Sequence, residues 1–168
     1  SAGKVGIGTA SPSDYSSSAD NLVIYDANHA GITIASPTDK SGSLFFADGT
    51  SGDSEYEGFI QYDHGNNVTD AMMIGTAGVE RMRINSGGNV GIGDTSPDYR
   101  LDVEGDDPGS YIASFTNDGD SENRYGVRIQ CGHDNASDTN FAITIADGDG
   151  GEQGYVTFTS GTITWGAF

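Results

Sequence analysis

Basic residues are scarce in this chain. Seven Lys and Arg stand against 25 Asp and Glu, a formal net charge of −18 over 168 residues. A nucleic-acid interface needs a basic footprint to displace the counterions of the phosphate backbone, so that class is excluded, and anionic membrane surfaces go with it. The lone cysteine, Cys131, leaves no room for an intrachain disulfide framework or a cysteine-based zinc site. It ends the alternating run Val127–Cys131 and reads as a buried structural thiol. No apolar run reaches the roughly 18 residues of a spanning helix, so membrane insertion is not expected. No secretory leader is legible, and Ser1 reads as the beginning of a fragment.

Apolar residues are also in short supply, at 35% of the chain with only 19% charged, while glycine is abundant at 26 residues. Many turns with little apolar material per turn make a large private core hard to build, and burial shared between chains is the simplest remedy. Low hydropathy with high charge can signal disorder. Four prolines, 10% aromatics and cleanly alternating short runs point instead to packed β-structure.

One sequence unit occurs twice. Gly3-Lys-Val-Gly-Ile-Gly-Thr-Ala-Ser-Pro12 returns as Gly88-Asn-Val-Gly-Ile-Gly-Asp-Thr-Ser-Pro97, identical at seven of ten positions with an offset of 85. Ala30–Ile34 parallels Tyr125–Ile129, Phe46-Ala-Asp-Gly49 parallels Ile145-Ala-Asp-Gly148, and Gly58–Tyr62 parallels Gly154–Phe158. Offsets drift through 95, 99 and 96, which places the insertions between strands, where loops tolerate them. The reading divides the chain into repeat units 1–86 and 87–168.

Period-two alternation predicts short strands at Leu22–Tyr25, Gly31–Ala35, Ser43–Phe46, Glu57–Tyr62, Met72–Ile74, Glu80–Ile84, Asn89–Ile92, Tyr111–Phe115, Tyr125–Cys131, Phe141–Ala146, Gly154–Phe158 and Thr162–Trp165. Gly, Asp, Asn and Ser clusters separate them, with hairpin turns at Thr76-Ala-Gly78 and Ser160-Gly161. No segment of helical length shows a 3.6-residue period, so the fold class is all-β. In Val-Gly-Ile-Gly, Val5 and Ile7 point one way and Gly6 and Gly8 the other, as do Gly91 and Gly93 in the second copy. Glycine in a strand weakens it unless something approaches the backbone closely. A tight bend, another strand, a ligand or a neighbouring chain would each meet that need, and close packing between chains is the preferred reading.

The run Ala77-Gly-Val-Glu-Arg-Met-Arg-Ile-Asn-Ser-Gly-Gly-Asn-Val-Gly-Ile-Gly-Asp-Thr-Ser-Pro97, followed by Leu101-Asp-Val103, resembles the distal region of bacteriophage tail fibres and tailspikes. Ser43–Tyr62 is similar to segments of such fibres as well, and the likeness covers most of the chain. In that family the motif precedes a self-cleaving intramolecular chaperone, so the resemblance implies a mature or truncated fibre segment. Asp94 also stands where the family's motif has Thr. The resemblance implies a virion or other extracellular location. It further implies parallel homotrimers, as an intertwined β-prism, β-helix or sandwich fibre, that attach to a host cell-surface glycan or protein receptor. A surface adhesin or surface-layer module of a marine bacterium is one alternative, and a polysaccharide depolymerase is another.

Enzymatic chemistry finds little footing. His29, His64 and His133 lie in no nucleophile motif, and the glycine pairs lack the third glycine and lysine of a phosphate loop. The expectation is a non-enzyme with no required cofactor. Asp53, Glu55 and Glu57 would share one face if they lay on a strand, but a solvated loop is the preferred reading. With Tyr56 among them, these residues form the candidate glycan or receptor contact, through ring stacking and carboxylate acceptors. Calcium is a candidate ligand at Asp118, Asp120 and Glu122, and again at Asp147, Asp149 and Glu152. The first loop is not an EF-hand, because Asn123 replaces the sixth-position glycine and Ile129 stands twelfth.

Overall fold

The computed structural model describes residues 3–65, 70–106, 108–118, 127–130, 140–146, 150–159 and 162–167. Among the described residues the chain is built of β-strands, with two single-turn 3-10 segments and no α-helix. The strands are β1 (Val5–Ile7), β2 (Leu22–Ile24), β3 (Ser41–Phe46), β4 (Gly58–Asp63), β5 (Ala71–Thr76), β6 (Val79–Ile84), β7 (Val90–Ile92), β8 (Leu101–Val103), β9 (Asn140–Ala146), β10 (Glu152–Thr159) and β11 (Thr162–Ala167). All-β architecture follows from the alternation, since most of the strands carry a two-residue period and the breaks between them carry turn-forming residues.

Among the described residues three sheets form, ordered β1-β2, β3-β4-β5-β6-β7-β8 and β11-β10-β9. The chain divides into two compact units, Ser1–Ile112 and Ala113–Phe168. The first holds the two-stranded and six-stranded sheets. The second holds the three-stranded sheet. The repeat border near Ser86 falls between β6 and β7, which are hydrogen-bonded neighbours in one sheet. Strands β7 and β8 of the second sequence copy therefore extend the sheet of the first.

Repetition in sequence is repetition in structure. Strand β1 pairs in parallel with β2 and β7 with β8 in the same register, Val5 opposite Leu22 and Val90 opposite Leu101. The flanking bonds also agree: Val5 N–H donates to Asn21 and Val90 N–H to Arg100, while Tyr25 N–H donates to Ile7 and Glu104 N–H to Ile92. Thr9 Oγ1 accepts from the Ser11 amide at 3.1 Å, and Asp94 Oδ1 accepts from the Ser96 amide at 2.7 Å. Asp94 thus does in the second copy what Thr9 does in the first. Further along, Phe46 opposite Gly58 matches Ile145 opposite Gly154, and Ile60 opposite Ile74 matches Val156 opposite Trp165.

Several strand expectations need correction. Gly31–Ala35 joins no ladder, and Tyr111–Phe115 contains no strand. Of the expected strand Tyr125–Cys131, residues 127–130 lie outside any strand, and its remaining residues, Cys131 included, fall outside the described residues. Leu101–Val103, which the alternation did not flag, is β8. The Thr76–Gly78 turn is a two-residue hairpin in which Ala77 and Gly78 both have positive φ, 54° and 67°. Such a primed turn matches the twist of the flanking strands. Ser160-Gly161 lies outside the described residues, although Thr159 pairs with Thr162 across it.

Candidate functional site

The register of the six-stranded sheet sorts its side chains onto two faces of opposite character. One row runs Leu44, Ile60, Ile74, Met82, Ile92 and Val103, each directly opposite the next. A second row on the same face runs Gly42, Tyr62, Met72, Ile84, Val90 and Leu101. Eleven of these twelve residues are apolar or aromatic, yet the face is largely open to solvent: Leu44 is 50%, Ile74 41% and Leu101 61% exposed. The other face carries Asp63, Ala71, Met73, Gly75, Arg83 and Gly91, all buried within the chain. The chain thus buries Asp63, Ala71, Met73 and Arg83 on a mixed face where Phe45 stays 52% exposed, and leaves the continuous apolar rows largely bare, which a solitary domain would be expected to cover.

A bulge in β6 extends this sorting to Val79 and Glu80. Ile74 is opposite Met82 but Gly75 is opposite Glu80, so Arg81 is the extra residue. Strict alternation would put Glu80 and Arg83 on opposite faces. The bulge brings them to the same one, where Arg83 Nε donates to Glu80 Oε1 at 2.5 Å and its Nη2 to Oε2 at 2.7 Å. This forked bond to Glu80 pushes the guanidinium pKa up from its usual value. The bulge also returns Val79, with Met82 and Ile84, to the apolar face.

At the β3 and β4 end of that face, Ile32 and Ile34 lie against Leu44, Ile60, Tyr62 and Met72 around an open groove of about 300 Å³. The Tyr62 and His64 rings meet there at 4.8 Å. The segment expected as a strand at Gly31–Ala35 therefore serves as a flap on the apolar face.

The loop proposed to meet a glycan is exposed, in keeping with the solvated-loop reading of its acids. Gly52–Glu55 is a 3-10 turn, so Asp53, Glu55 and Glu57 do not share a strand face. Tyr56 donates its hydroxyl to Asp53 Oδ1 at 2.8 Å, and its ring stands 6.1 Å from that of Phe45. The bond to Asp53 raises the phenol pKa, and the negative charges of Asp53 and Glu55 add to the effect. Phe45 neighbours Leu44, so it belongs to the face opposite the bare apolar rows. The hairpin tip at Gly78 lies beside Tyr56 and Asp53.

The repeated glycines have a close neighbour, but it belongs to the same chain. A Cβ on Gly6 would stand 2.3 Å from the Thr9 carbonyl oxygen, and one on Gly91 2.2 Å from that of Asp94. Gly8 and Gly93, at φ 77° and 75°, would meet the Tyr25 and Glu104 carbonyl oxygens in the same way. The close approach at Gly6, Gly8, Gly91 and Gly93 is thus a tight intrachain bend, and interchain packing is not needed to account for these glycines. A second glycine device escaped the sequence reading. Gly75 lies beneath the Phe59 ring and Gly166 beneath the Tyr155 ring, at matching positions of the two copies.

Among the described residues no group of three or more His, Cys, Asp or Glu is placed to hold a metal ion. Asp118 and Glu152 are exposed, and Asp120, Glu122, Asp147 and Asp149 lie outside the described residues, as does His133. His29 follows a turn in which Asp26 accepts from the amides of Asn28 and His29. Among the described residues no helix is long and apolar enough to cross a membrane. No family model, curated protein or solved structure matches the chain.

Proposed function

We propose that the chain is a structural and receptor-contacting segment of a phage tail fibre, working as a parallel homotrimer. The observation that carries this reading is the bare apolar face. Burial of two rows of Leu, Ile, Met, Val and Tyr removes apolar surface from water at about 25 cal/mol per Å². No other element of the chain covers these rows fully, with Leu44 50% and Leu101 61% exposed, and identical copies are the natural source of cover. The Tyr56 and Asp53 loop belongs to the opposite face of the same sheet, so an assembly built on the apolar rows would turn that loop outward. The work is mechanical: chains held side by side, loops presented to a host-surface glycan or protein. The tail-fibre part of the reading rests on the sequence resemblance.

The assembly part is tested by Ile74→Asp, which places a charge in the middle of the first row. Sedimentation equilibrium is expected to show the parent chain assembled and the variant monomeric. The receptor part is tested by fluorescently labelled protein on a panel of bacteria. Labelling of a subset of strains, weakened by Tyr56→Ala and by periodate oxidation of surface glycans, is the expected outcome. Uniform absence of labelling would count against the receptor role.

A further inference from the structure

The two copies of the Val-Gly-Ile-Gly strand differ in one respect that the repeat makes visible. In the second copy, β7 is paired on both edges, to β8 in parallel and to β6 antiparallel, with Ile84 opposite Val90, Arg83 opposite Gly91 and Met82 opposite Ile92. The outward backbone groups of β7 and its flanks are used up by that second pairing. Gly93 N–H donates to the Arg81 carbonyl at 3.0 Å and Asn89 C=O accepts from the Asn85 amide at 3.0 Å. Gly91 is buried there.

In the first copy, β1 has β2 as its only partner among the described residues. Gly6, the counterpart of Gly91, is exposed, and among the described residues no strand bonds its far edge. The Lys4 carbonyl, both backbone groups of Gly6 and the Gly8 amide are thereby left facing outward in the pattern that β6 satisfies at β7. The rest of the unit is already complete: the register with β2, the flanking amide bonds and the tight bend match those of the second copy. An unpaired, preformed edge of this kind is a template for strand addition.

We propose that the free edge of β1 is a docking site for one antiparallel strand of β6 chemistry. Such a strand carries alternating large apolar residues, with basic residues between them, as in Val79-Glu-Arg-Met-Arg-Ile84. The register is set by the repeat, with the Arg83 equivalent opposite Gly6 and the Met82 equivalent opposite Ile7. The tight bend at Gly6 does not obstruct this edge, since Gly91 makes the same bend and still pairs with Arg83, and the Val5 and Ile7 side chains, both 54% exposed, would gain the apolar neighbours that Met82 and Ile84 give to β7. This site depends neither on the trimer nor on the host receptor.

The repeat supplies its own probe. Ser1, Gly3 and Val5 match Ser86, Gly88 and Val90 at the offset of 85, so placing the sequence of Gly78–Asn85 directly before Ser1 recreates the connection from β6 to β7. Amide hydrogen exchange is then compared in the parent chain, in this extended chain, and in a second extension carrying one additional glycine before Ser1, which slips the register by one residue. The in-register extension is expected to slow exchange at the Gly6 and Gly8 amides by about ten-fold or more, and the slipped one to slow it far less. Unchanged exchange at both glycines in the in-register chain would overturn the proposal. Equal or greater protection by the slipped extension would do so as well, because it would show an edge that takes any added strand.

Discussion

Gly91 and Gly31 bear the same side chain, a single hydrogen, for opposite reasons. At Gly91 a methyl group would collide with the Asp94 carbonyl oxygen and press on Pro97, whereas at Gly31 it would meet nothing within 4 Å. Gly91→Ala is therefore expected to cost about 3 kcal/mol in urea unfolding, and Gly31→Ala to stay within about 0.5 kcal/mol of the parent. Ala77 gives the converse case. With φ at 54° it occupies the left-handed region, at a position of the hairpin where asparagine is favoured, so Ala77→Asn is expected to stabilise the chain by about 1 kcal/mol. At Tyr56 the bond to Asp53 favours the protonated phenol, so its folded-state pKa lies above the unfolded value of about 10. What this bond contributes to the loop is complete below about pH 10 and is lost as pH rises through the higher folded-state pKa. The ultraviolet titration of Tyr56, isolated by subtracting a Tyr56→Phe variant, should move to lower pH when Asp53 is replaced by Asn.

At the scale of strands, alternation made most of the sheet legible, because β3 to β7, β9, β10 and β11 each carry three or more residues in a two-residue period. It failed where a short pattern had no partner or a real strand had no pattern. Gly31–Ala35 alternates well but lies beside the groove formed with Leu44, Ile60 and Tyr62, where Ile32 and Ile34 pack without a hydrogen-bonded neighbour. Leu101-Asp-Val103 is too short to stand out and is a strand only because the Val90–Ile92 edge pairs with it. The β6 bulge is a subtler loss. Read with a strict period, Glu80 and Arg83 face apart, and the ion pair that ties them together is invisible until the Gly75 to Glu80 pairing is known. Glu80→Ala would leave a buried guanidinium without its carboxylate. It is expected to lower stability by about 2–3 kcal/mol, measured by urea denaturation at fixed protein concentration. The candidate contact residues were only partly legible for the same reason. The sequence placed Tyr56 among carboxylates, but the 3-10 turn decides that Asp53 alone takes its hydroxyl.

At the scale of the molecule, composition warned that one chain would struggle to build a private core, and the sheet shows where the shortage falls. Alternation reveals that a strand has two faces without saying which one the rest of the chain will cover. Here the chain covers Asp63, Ala71, Met73 and Arg83 and leaves Leu44, Ile60, Ile74 and Ile92 bare. The charge of −18 per chain opposes assembly through like-charge repulsion, which salt screens over about 8 Å at physiological ionic strength. Any association should therefore tighten as salt is added, as apolar burial dictates and as a salt-bridged interface would not. Light scattering coupled to size exclusion, at micromolar protein in physiological salt, measures the outcome directly. The account predicts three times the 17.4 kDa chain mass, and a single-chain mass under those conditions would contradict it.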